Sequence, residues 1–171
     1  IELPGQAMPR RYLALWFPYL ATDRLRRMGA IPASGAPAEK PHVLVETQNN
    51  ALRLVDCDGR AVDLGLTRGL TLADARARIP DLVALEAEPQ ADREFLEALA
   101  AFCDRFTPLV ALDEPHGLML DITGCAHLFG GEAGLGNLAG RAMQRGGLKL
   151  KAAIAGTPDA ARACARHGRG G

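Results

Sequence analysis

The stretch RYLALWFPYLATDRL, residues 11–25, decides the fold class. Residues 12–17 form an unbroken apolar run, which is typical of a β-strand buried on both faces. Pro18 ends this run, and a helical spacing begins at once with Leu20, Asp23 and Arg24. The stretch therefore predicts a buried strand that passes directly into a helix. Many nucleotide-handling folds keep acidic metal ligands at such a junction, but here the positions hold tryptophan, phenylalanine and proline.

The length and composition indicate a globular protein. The chain has 171 residues, of which 48% are apolar, and this is enough for one compact domain or slightly more. Its longest apolar runs are about six residues, whereas a membrane-spanning helix needs about 20. No signal-like apolar segment follows Arg10 and Arg11. We therefore expect a cytoplasmic protein that does not contact a membrane.

The cysteines favour reduced thiols in a core over a metal site or disulfides. No C-x-x-C pair and no matching pair of histidines occurs among the four, which are Cys57, Cys103, Cys125 and Cys164. The sequence therefore predicts no zinc site, and we expect no bound cofactor.

Charge is balanced overall but unevenly distributed. Twenty basic and 20 acidic residues give no net field that would attract nucleic acid. From residue 141 onward, however, seven basic residues stand against one acid, Asp159. This stretch is the expected phosphate-facing surface, and a solvated surface without a ligand is the alternative. The candidate DNA-binding residues are Arg141, Arg145, Lys149 and Lys151.

Outward from the first strand, the sequence predicts a small lobe. Residues 29–41 combine three prolines with small residues and are expected to form a loop or hinge. Two strands, HVLVE at 42–46 and ALRLVD at 51–56, flank the turn TQNN. A helix follows from about residue 72, with Thr71 as its N-cap.

The remainder of the chain predicts an α+β fold that this lobe interrupts. Periodic apolar residues indicate helices at 91–106 and 131–145, and Thr157 caps a further helix. Pro115 and Gly117 favour a hairpin turn. We expect one mainly antiparallel sheet, with the helices at 91–106 and 131–145 packed on a single face. The expected strands of this sheet are residues 12–17, 82–86, 109–112, 117–123 and 148–155.

The chain resembles the Y-family (DinB/UmuC-like) translesion DNA polymerases in four segments, YLALWFPYLATDRL, GLTRGLTLADARARIPDLVALEAEP, LDEPHGLMLDITGCAHLFGGE and AAIAGTPDAARACARHG. It is most similar to the ImuB-type branch, whose members are polymerase-like. The resemblance implies a ferredoxin-like palm from residues 1–22 and 81–171, with a small fingers lobe at 23–80. It also implies a thumb and a little finger, which are absent from this chain, so we expect a fragment.

The resemblance places the family's catalytic positions on unsuitable side chains. Active members bind two magnesium ions through carboxylates. The first-strand aspartates correspond to Trp16 and Pro18, and the aromatic residue that screens out ribonucleotides falls near Ala21. The tyrosine and arginine that hold the triphosphate correspond to Gly59 and Val62. The resemblance therefore implies no metal, no nucleotide site and no enzyme activity.

The hairpin keeps two acids, Asp113 and Glu114, as remnants of the family's second acidic pair. In the family that pair ends two residues before a leucine–aspartate, whereas here five residues separate Glu114 from Leu120. An odd shift along a strand turns a side chain to the opposite face. Either these acids are displaced into the turn, or the equivalent positions are His116 and Gly117.

The resemblance implies a catalytically silent adaptor in DNA-damage tolerance and induced (SOS) mutagenesis. Its implied partners are DNA, bound weakly by this fragment, an ImuA-type RecA-like protein, the sliding clamp and an error-prone replicative-type DNA polymerase. The alternative is an active metal-dependent translesion polymerase that uses Asp113, Glu114 and Asp121. A third reading is a palm-like nucleic-acid-binding module without dedicated partners.

Overall fold

The computed structural model describes residues 7–33, 35 and 39–168. Residues 34 and 36–38 of the predicted loop at 29–41, and the ends of the predicted palm at 1–6 and 169–171, lie outside this part. The chain forms two compact units. The first comprises Ile1–Pro18 with Arg93–Gly171, and the second comprises Tyr19–Asp92.

Fourteen elements make up the part of the chain that the structure describes. In chain order they are β1 (Tyr12–Trp16), α1 (Leu20–Arg27), β2 (His42–Gln48), β3 (Ala51–Cys57), α2 (Gly59–Asp63), α3 (Leu72–Arg78), β4 (Val83–Glu86), α4 (Pro89–Cys103), β5 (Val110–Asp113), β6 (Gly117–Asp121), a 3₁₀ turn (Ala126–Phe129), α5 (Glu132–Arg145), β7 (Lys151–Ala155) and α6 (Pro158–His167). None of the helices in these ranges is long and apolar enough to cross a bilayer.

The sheet of the first unit has the strand order β5-β6-β1-β7, and every neighbouring pair is antiparallel. The apolar first strand therefore lies in the interior of the sheet, where both of its faces are covered. This confirms that the strands predicted around residues 12–17, 109–112, 117–123 and 148–155 share one antiparallel sheet.

The strand predicted at 82–86 belongs to a different sheet. It is β4, and it pairs in parallel with β2 in a three-stranded sheet of order β3-β2-β4. The prediction of a single sheet is wrong for this strand. The sequence of β4 is only four residues long and half-buried for most of its length, so it does not indicate which strand it pairs with. Long-range packing decides that pairing.

Helices cover both faces of the first sheet. On one face, Leu13 lies opposite Ile154, and a Cβ added at Gly136 of α5 would contact the Ile154 Cδ1 atom at 3.7 Å. On the other face, Ala14 and Met119 pack against Ala161 and Ala165 of α6. The face opposite α5 is thus covered by α6, and the expectation that the helices at 91–106 and 131–145 share a single face stays a prediction.

The second unit has its own apolar core. Ala21 and Leu25 of α1 pack with Leu44 of β2. The turn between β2 and β3 places Asn49 and Asn50 at φ 50° and 61°, as tight hairpins with a right-handed strand twist require. The sequence did not predict the short helix α2, which the Asp58 carboxylate caps by accepting a hydrogen bond from the Ala61 amide at 2.8 Å.

The cysteines are free thiols in different environments. Cys57 and Cys103 are buried, whereas Cys164 on α6 is exposed. Burial raises the pKa of the Cys103 thiol to about 12 and that of Cys57 to about 11. The two buried thiols therefore stay protonated and act as small apolar groups.

Candidate functional site

Four residues form one row across the end of the first sheet. Trp16 of β1 lies directly opposite Gly117 of β6 on one side and Lys151 of β7 on the other. Asp113 of β5 lies opposite Gly117. Directly opposite residues point to the same face of a sheet, so this row lies on the face that α6 covers.

Trp16 is half-buried at the centre of the row. Its indole packs against the cluster of Ala14, Met119, Ala161 and Ala165. The Lys151 ammonium nitrogen lies 5.8 Å from the centre of the Trp16 ring, within the range of a cation–π contact. The indole therefore fills space on this face that a shorter polar side chain would leave empty.

Gly117 leaves little space for a side chain. A Cβ at this position would lie 3.1 Å from both the Asp113 and the Leu15 carbonyl oxygens. Those oxygens belong to the neighbouring strands, which are held in register on both sides. The sheet is therefore packed for glycine here, and an acidic side chain would have to displace backbone.

The Asp113 carboxylate is bound by two arginines of α6. The Arg162 Nε donates to both carboxylate oxygens, at 2.8 and 3.0 Å, and an Arg166 terminal nitrogen lies 3.4 Å from one of them. The hydrogen bond to Asp113 raises the pKa of Arg162. Both oxygens of Asp113 thus have cationic partners, and its side chain is only 15% exposed.

The other two candidate acids lie apart from this carboxylate. Glu114 is in the turn, where Arg93 Nη2 lies 3.2 Å from its Oε1 atom. Asp121 ends β6, four residues along the strand from Gly117, which corresponds to about 13 Å. Burial tends to raise the pKa of Asp121, but hydrogen bonds from Thr123 and the Arg10 charge leave it lowered.

The residues named in the two alternatives all lie in the hairpin of β5 and β6. Asp113 remains in β5 as its last residue, and Glu114 is in the turn. His116 precedes β6 and accepts a hydrogen bond from the Phe17 amide at 2.8 Å through its carbonyl oxygen. Within residues 7–33, 35 and 39–168, no group of three or more histidine, cysteine or acidic side chains could hold a metal ion.

The remaining candidate nucleotide positions lie in the second unit. Ala21 is a buried residue of α1 and packs in the core of this unit. Gly59 is the first residue of α2, and Val62 of the same helix is 47% exposed. Pro18, at the end of the first unit, is half-buried. None of these four side chains carries a group that could bind a phosphate.

The candidate DNA-binding residues do not form one cluster. Lys151 shares the sheet face of Trp16. Arg141 and Arg145 are exposed on α5, which packs on the opposite face, and Lys149 lies between that helix and β7. The sequence grouped them by charge alone, which does not reveal the face of the sheet.

Sequence reasoning missed the roles of Arg162 and Arg166. The available signal was their spacing of four residues on a helix whose buried face is Ala161 and Ala165. That spacing places both guanidinium groups along one flank of α6. Their common partner, Asp113, is 49 residues from Arg162 and could not be read from the helix itself.

Known proteins resemble this chain in both sequence and structure. Residues 36–166 match the model of the IMS family, described as the impB/mucB/samB family. The chain is 52% identical over 106 residues to Protein ImuB of Caulobacter vibrioides strain NA1000 / CB15N and to the same protein of strain ATCC 19089 / CIP 103742 / CB 15. Each match covers 61% of this chain and 23% of the relative, so the chain aligns with about a quarter of those proteins.

Solved structures share the fold. An insertion ternary complex of Dbh DNA polymerase matches with a TM-score of 0.79 at 13% identity, over 94% of this chain and 46% of that one. DinB from Sulfolobus solfataricus matches with a TM-score of 0.74 at 14% identity, over 91% and 45%. These matches confirm the expected α+β palm architecture. The chain is therefore similar in sequence to ImuB proteins, shares its fold with the DNA polymerases Dbh and DinB, and belongs to the impB/mucB/samB family.

Proposed function

We propose that this chain is part of a catalytically inactive polymerase homologue that acts as an adaptor in DNA-damage tolerance and induced mutagenesis. The observation that carries this proposal is the row Asp113, Gly117, Trp16 and Lys151. An indole, a glycine and an ammonium group occupy three of its positions, and two guanidinium groups bind the single carboxylate. Two-metal catalysis needs several carboxylates that converge on one point.

The proposal assigns a polymerase subdomain to each unit. The first unit is the palm and the second is the fingers lobe. The first boundary between the units, Pro18/Tyr19, lies four residues before the expected junction at 22/23. The second, Asp92/Arg93, lies 12 residues after the expected junction at 80/81. Under this assignment, Trp16 and Pro18 are the degenerate metal-binding positions, and Ala21, Gly59 and Val62 are the degenerate nucleotide-binding positions.

The proposed partners are those of an adaptor. They are an ImuA-type RecA-like protein, the sliding clamp and an error-prone replicative-type DNA polymerase, which performs the synthesis. The identity of 52% to ImuB proteins supports this role. Because the match covers 23% of those relatives, contacts with these partners can also involve parts of the relatives that this chain does not match.

We expect the full-length protein to show no nucleotide incorporation in a primer-extension assay with magnesium or manganese, since no set of carboxylates within the described residues converges on the row. The matched control is Asp113→Ala, which removes the one acid in the row. The preparation must be shown to contain no other polymerase. Incorporation by the unmodified protein that disappears in Asp113→Ala or Glu114→Ala would establish the active-polymerase alternative.

DNA binding by this chain is expected to be weak and strongly salt-dependent. If Arg141, Arg145, Lys149 and Lys151 face phosphates, each contact that a charge reversal removes should reduce the magnitude of the slope of log K against log salt by roughly one unit. Because Lys151 lies on a different sheet face from Arg141, we expect the two reversals to change binding independently. Fluorescence anisotropy over a salt series measures these slopes. Slopes that do not change would contradict the proposal that these four residues face phosphates.

A further inference from the structure

We draw no further inference here: the strongest candidate, the apolar groove along the β5 edge of the first sheet, carries none, because the arginines at its two ends are paired with Asp113, Asp121 and Asp159 and nothing in the structure shows what covers it.

Discussion

Gly134→Ala is expected to destabilise the first unit by about 3 kcal/mol, which is a large overpacking cost. Gly134 lies in the first turns of α5, directly after the 3₁₀ turn that ends at Phe129. A Cβ at this position would lie within van der Waals overlap of the Phe129 carbonyl oxygen, which belongs to the backbone and cannot rotate away. The helix or the preceding turn must therefore shift. Urea denaturation followed by circular dichroism measures the loss.

Gly140→Ala provides the matched control in the same helix. Apart from the backbone of its own helix and its chain neighbours, no described atom lies within 4 Å of a Cβ at Gly140, so the methyl group enters open space. Glycine in a helix interior is less stable than alanine by roughly 0.5–1 kcal/mol, so this variant should be stabilised by about that amount. Equal changes in stability for the two variants would show that the close approach of Gly134 to the Phe129 carbonyl does not destabilise Gly134→Ala.

Replacing Trp16 and Pro18 together by aspartate is expected to cost about 2–3 kcal/mol without producing polymerase activity. Replacing a buried aromatic side chain by a small one costs about 3–5 kcal/mol of folding free energy. We expect a smaller cost here because the Trp16 indole is only half-buried. The new carboxylate at position 16 would lie on the apolar cluster beneath α6. Lys151 on the neighbouring strand offsets part of the cost of placing a charge there.

The lack of activity in this double variant has a separate cause. Gly117 still offers no side chain, and Arg162 still binds the Asp113 carboxylate. Gly59 and Val62, the proposed nucleotide-binding positions, still carry no side-chain group that could bind a triphosphate. Thermal denaturation measures stability, and primer extension measures activity. Trp16→Phe, which keeps an aromatic ring, should stay closer to the parent protein in stability. Metal-dependent incorporation by the double variant would contradict the proposal that several positions have degenerated.

Sequence patterns correctly predicted the elements whose signals are local. The Thr71 side chain accepts a hydrogen bond from the Asp74 amide at 3.1 Å, and the Thr157 side chain accepts one from the Ala160 amide at 3.2 Å, as the two capping predictions require. The apolar run of residues 12–17 predicted an interior strand, and β1 pairs on both sides. Capping, periodicity and turn chemistry act within a few residues, so each can be read from the sequence nearby.

The composition of the candidate site also follows from sequence. Tryptophan and proline near the end of the first strand, and the acids Asp113 and Glu114 at the predicted hairpin turn, are visible before any folding is known. Sequence alone therefore determined the α+β class, most of the elements and some of the side chains in the candidate site, but not Arg162 and Arg166.

Only the tertiary structure decided which of these side chains meet. Strand register places Trp16 between Gly117 and Lys151, and it brings Asp113 to the guanidinium groups of α6 from 49 residues away. The same long-range packing assigned β4 to the second sheet and divided the basic residues between two faces. Such contacts depend on the burial of many residues at once, and a one-residue change of register turns every side chain to the other face, so local patterns cannot encode them.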